Sequence, residues 1–161
     1  MNKYTQKYKE LVKRLIKKNF PRLKRRWIPL TEAKIFNLKY SAIAFYFLFF
    51  SWIIIHPKVR KYSRASLKAL FAHEFAHLDL IANMNFFEKI KFAFIWLFTK
   101  RGKENFERDA DIHAIKKGYG KGLIELRKQS KKTYTKEELK KGRQGYLTIR
   151  EIKSYIRKFK K

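Results

Sequence analysis

Leu67-Lys68-Ala69-Leu70-Phe71-Ala72-His73-Glu74-Phe75-Ala76-His77-Leu78-Asp79-Leu80-Ile81-Ala82-Asn83 is the stretch on which the reading of this chain turns. Leu67, Leu70, Phe71, Phe75, Leu78 and Ile81 recur at helical spacing, which predicts a helix from Leu67 to Asn83. Ser63 or Ser66 can cap it. Its middle, His73-Glu74-Phe75-Ala76-His77, matches H-E-x-x-H. Residues i and i+4 project from one helix face, so both imidazoles can reach a single ion. Glu74 sits at the rim of that face, placed to take a proton from water instead of binding the metal. In a chain of this composition the pattern arises by chance about 0.006 times. The bland alternative is a pair of helix histidines satisfied by local hydrogen bonds.

A catalytic zinc takes three protein ligands and leaves a fourth position open. The continuation H-x-x-G-x-x-H is absent, because Leu80 and Asn83 stand where Gly and His would be needed. The chain has no Cys, so a thiolate ligand is excluded. A Glu from a later helix remains, and Glu107-Arg108-Asp109-Ala110-Asp111 offers carboxylates about thirty residues downstream. Taken alone, that acidic group reads as a solvated helix face.

Glu107-x-x-Ala110-Asp111-x-x-Ala114 resembles the E-x-x-A-D-x-x-A signature of gluzincin peptidases. The likeness is to the HtpX and CAAX-endopeptidase relatives and to the compact archaeal minigluzincins, and it covers residues 2 to 128. It implies Glu107 as third ligand to one zinc ion, with His73 and His77, and Asp111 as buttress of a ligand imidazole. A carboxylate on the outer ring nitrogen would fix the tautomer and orient the ring. The resemblance also implies an α+β fold, helix-rich overall. It would be a compact zincin-like arrangement with a small antiparallel sheet on the active-site helix and a glutamate helix. In such folds a strand before the active-site helix pairs with extended substrate. Trp52-Ile53-Ile54-Ile55-His56 is the candidate here.

Outward from this centre, Tyr8, Leu11, Val12, Leu15 and Ile16 share one face of a helix over residues 4–19, ended by Pro21. Residues 21–34 hold Pro21 and Pro29 and read as an irregular connection. No charged residue falls between Lys39 and Lys58. That run reads either as a short membrane helix or as buried strands, and β-branched Ile53-Ile54-Ile55 closed by His56-Pro57 favours strands. A second helix is expected over 86–99, broken by Arg101-Gly102-Lys103, and a third from Asn105 to Lys117. Helical turns are expected near 122–130, 136–141 and 148–159. The domain reading is a metallopeptidase-like unit over 1–128 and a basic helical extension over 129–161 packed on it.

The net charge is +28. It suggests an anionic partner such as nucleic acid or a lipid surface. The favoured reading is compositional bias, because basic residues run through every polar stretch and form no block. The absence of Cys and of an apolar leader in the first residues suggests a cytoplasmic protein, with peripheral membrane association as an alternative. The expected activity is hydrolysis of peptide bonds, with Glu74 activating water at zinc. The expected partner is a peptide or protein substrate; self-association, nucleic acid (not favoured) and a membrane surface are further partner classes. Two rival functions are a latent zymogen or inactive zinc-binding protein with a self-blocked cleft, and a nucleic-acid-associated basic protein. For oxyanion stabilisation the candidates are His56, His113, Tyr119, Tyr134 and Arg150.

Overall fold

The computed structural model describes residues 3–34, 41–46, 50–137 and 145–160. Among them it has six α-helices and three strands: an α+β, helix-rich fold with one small sheet.

The H-E-x-x-H helix, α2 (Arg64–Ala82), lies at the centre. Ser63 caps it, its hydroxyl accepting from the Ser66 N–H. Residues 69 to 79 are buried without interruption, so the helix is covered on every side. Helices and sheet close around it. Helix α1 (Lys3–Asn19) lays Tyr8, Val12 and Leu15 into the core, and Phe20 follows them before the Pro21–Arg25 turn. Helix α4 (Lys100–Lys116) and helix α5 (Gly120–Thr133) pack directly on α2. Small side chains permit the close approach: Ala110 and Ala114 on α4 are fully buried. On α5, a Cβ at Gly122 would stand 2.8 Å from the Ala65 carbonyl oxygen and 2.9 Å from the Ala69 Cβ.

Three strands form a sheet in the order β1-β3-β2: β1 (Leu30–Glu32), β2 (Ala42–Tyr46) and β3 (Ser51–Ile55). The uncharged run therefore supplies two strands, Ala42–Tyr46 and Ser51–Ile55, and no helix among the described residues is long and apolar enough to cross a membrane. The sheet is mixed, which corrects the antiparallel expectation. β2 runs antiparallel to β3, with Ala44 opposite Ile53, whereas β1 runs parallel to it, with Thr31 opposite Ile54. β1 hides in the stretch read as an irregular connection, being only three residues long and directly preceded by Pro29.

Helix α3 (Phe86–Phe98) starts in a capping box formed by Asn85 and Glu88. The break after it falls at Thr99, not at Arg101-Gly102-Lys103. Thr99 caps α4 by accepting from the Gly102 N–H, so α4 begins five residues before the expected Asn105. Gly102 belongs to the corner itself, since a Cβ there would meet the Ile95 carbonyl oxygen at 2.6 Å. Helix α5 runs unbroken through residue 128. The last helix, α6 (Ile149–Lys158), packs on α4 and α5, and Leu147 and Ile152 enter the common core. The turn expected over 136–141 lies mostly outside the described residues.

Candidate metal centre

α2 presents His73 and His77 one turn apart, and α4 crosses it to present Glu107. The His73 Nε2 lies 3.1 Å from the His77 Nε2 and 3.1 Å from the Glu107 Oε2, and the third side of the triangle measures 3.4 Å. Two imidazole nitrogens and a carboxylate oxygen therefore converge on one point, a group that could hold a metal ion. The size of the triangle can be tested. Tetrahedral coordination with bonds of about 2.0–2.1 Å separates neighbouring ligand atoms by about 3.3–3.4 Å. The observed edges match that closely enough for a small shift of the rings to complete the fit.

Asp111, one turn after Glu107 on α4, stands behind His73. The His73 Nδ1–H donates to the Asp111 Oδ1 at 2.9 Å, which turns the Nε2 toward the triangle. Arg127 on α5 donates its Nη2 to both oxygens of Asp111, at 2.8 and 2.6 Å, and the Leu147 N–H adds a fourth bond at 2.9 Å. Burial alone would raise the Asp111 pKa, but Arg127, His73 and the Leu147 N–H outweigh it and hold it below the usual carboxylate range. For His73 burial works downward, and the Asp111 and Glu107 carboxylates lift it nonetheless to about 10. Glu107 is held low by the two imidazoles against the opposing effect of its burial.

His77 has no carboxylate behind it among the described residues, and its buried Nδ1 lacks a hydrogen-bond partner. Its ring is fixed by packing instead. Phe106 lies 4.3 Å away between ring centroids, with Phe92 of α3 tilted against it at 4.6 Å. Against protein-family models, curated proteins and solved structures alike, the chain finds no match. Its chemistry is therefore read from the residues themselves.

Glu74 is buried beside the triangle without joining it. Burial pushes its carboxyl pKa up, partly offset by His73 and His77 and by a hydrogen bond from the backbone of Ala44. That bond identifies the strand facing the site. The His56 N–H reaches the Ser41 carbonyl, so by antiparallel alternation residues 41, 43 and 45 turn their backbone groups toward β3. Ala42, Ala44 and Tyr46 turn theirs outward, and the Ala44 N–H meets Glu74. The expected substrate strand Trp52-Ile53-Ile54-Ile55-His56 is thereby corrected. Residues 52–55 form the middle strand, bonded to β1 on one side and β2 on the other, and offer no open edge for a further chain. The edge strand at the site is β2.

The oxyanion candidates from the sequence are engaged elsewhere. His113 is 2.8 Å from the Asp79 Oδ2 and packs on Phe20. The His56 Nδ1 accepts from the Lys58 N–H, Tyr119 donates to Asn19, Tyr134 bonds Ser41, and Arg150 is exposed on α6. The residue that does reach the centre is Tyr146. Its ring lies 5.4 Å from that of His73 and 4.5 Å from the Arg127 guanidinium. Burial and the nearby Glu107 and Glu74 push its phenol well above the ordinary value, so it keeps its proton and can only donate or accept a hydrogen bond. Gly145 sets its approach: φ is +99°, and a Cβ there would meet the Glu104 backbone at 2.6 Å. No motif spacing marks Tyr146, Arg127 or Phe106.

Proposed function

We propose that the chain is a zinc-dependent metalloendopeptidase of gluzincin type, with His73, His77 and Glu107 as ligands. The observation that carries this reading is the triangle of ligand atoms at tetrahedral spacing with the buried carboxyl of Glu74 beside it. Zinc is preferred because two imidazoles, His73 giving up its Nε2 proton as the ion binds, and one carboxylate suit its ligand chemistry and leave an open position. When bound, it would polarise a carbonyl and acidify water.

The chain's own residues supply the rest. The outward edge of β2 accepts an extended peptide as an added strand, with Ala42 and Tyr46 offering backbone groups on either side of Ala44. Glu74 takes the proton from the attacking water and passes it to the leaving amine, work that a carboxyl raised by burial is suited to. Tyr146, held protonated, donates to the oxygen on which charge develops. Asp111 holds His73 in the tautomer that leaves its Nε2 free for the metal.

A second reading, latency, is favoured by one observation: the Gly145–Leu147 segment, tied to Asp111 through the Leu147 N–H, sets the Tyr146 ring 5.4 Å from that of His73. Truncation near Lys131 cannot test it cleanly, because it removes the buried Leu147 and Ile152. Substitution separates the readings. Glu74→Gln should retain metal and lose hydrolysis of a casein or peptide substrate by about a hundredfold or more. Tyr146→Phe should lower the rate if the hydroxyl donates, and Tyr146→Ala should raise it if the ring is a plug. Full activity in Glu74→Gln would refute the proposed role of the motif glutamate.

A further inference from the structure

Helix α3 buries none of its residues. Its inner side rests on α4 through Phe92, which packs at a tilt on Phe106, and through Trp96, which lies under Lys103. The outer side carries Phe86, Phe87, Ile90, Phe94, Leu97 and Phe98, which helical spacing gathers into one continuous face. Phe86 is 70%, Phe87 79%, Phe94 64% and Phe98 71% exposed. Apolar faces of this kind on a folded chain mark interaction sites. Its charged surroundings are almost all basic. Lys91 flanks the face on the helix itself, and Lys100 and Arg101 follow at the corner, all exposed. The one acid of α3, Glu88, is spent on the capping box, and Glu104 is paired with Lys100.

We infer that α3 docks the protein on an anionic lipid surface, its outer face inserted at the level of the headgroups. Phe and Leu on one side with Lys and Arg at the borders is the composition of helices that lie in that interface. Charge decides between a lipid surface and a second copy of the chain. Two molecules of +28 repel one another, whereas an anionic bilayer attracts both the flanking residues and the whole molecule. The docked helix borders the metal group, since Phe92 leads through Phe106 to His77. The inference does not depend on what the metal group does.

Sedimentation with phosphatidylcholine vesicles, with and without phosphatidylserine, at low and high salt, tests it on the full chain. The parent should bind the anionic vesicles and keep a measurable fraction bound at high salt, because inserted apolar side chains are not screened. The double variant Phe94→Ser, Phe98→Ser leaves the charge unchanged and removes no buried side chain. Its partition should fall by about tenfold or more, and what remains should be released by salt. Phe86→Ser with Phe87→Ser, on the first turn of the same face, should behave alike. Failure of the parent to bind, or equal partition of parent and both variants, would overturn the inference. So would a lipid-free dimer that both variants dissociate, which would assign the face to a second copy.

Discussion

Asp111 accepts from His73 on α2, Arg127 on α5 and the backbone of Leu147 before α6, so one fully buried carboxylate on α4 ties His73 of the candidate centre to two further parts of the fold. Asp111→Asn keeps the shape but loses the charge that matches Arg127. Metal affinity should fall about 10- to 100-fold, read by competition with a chelating dye. Stability should fall by about 3–5 kcal/mol in denaturant unfolding, because the buried guanidinium is left uncompensated. A variant with unchanged affinity would remove Asp111 from the support of His73. At this scale the sequence is uneven. His73, Glu74 and His77 are legible because helical geometry makes i and i+4 neighbours. Glu107 and Asp111 come from a family resemblance, and their solvated-face alternative is removed by where α4 crosses α2. Tyr146 and Arg127 arrive from distant segments, and no local pattern encodes a contact between helices that tertiary packing alone creates.

Between elements, α5 approaches α2 closely at Gly122. A methyl there presses on the Ala65 carbonyl and the Ala69 Cβ, both on the helix that carries His73 and His77. Gly122→Ala should therefore cost about 1–3 kcal/mol of stability, measured by chemical denaturation. A neutral result would mean that α5 can withdraw without loss. The helices α1, α2 and α3 are legible from apolar periodicity, α2 also from its Ser63 cap, whereas for α6 the sequence offers only an expected helical turn. The sheet is less legible. Its β-branched middle strand announces itself, but periodicity cannot say which neighbours pair with it or in which direction. The parallel partner Leu30–Glu32 is set by tertiary pairing across more than twenty residues. Which strand is the edge facing Glu74 follows only from the pairing order and from the Ala44 bond to that carboxyl.

Over the whole molecule, the charge of +28 and the exposed face of α3 are the two features that the metal centre leaves unused. Among the described residues, the buried apolar side chains form one core around α2, the helix that carries both imidazoles. The central claim is that this enclosure builds a zinc site. It is tested most directly by dialysing the full chain against zinc at neutral pH, removing loose metal, and measuring bound zinc by elemental analysis. The parent should hold about one zinc per chain, and Glu107→Ala, with its helical circular dichroism retained, should lose most of it. A parent without zinc, or a folded Glu107→Ala variant that holds as much as the parent, would contradict the claim.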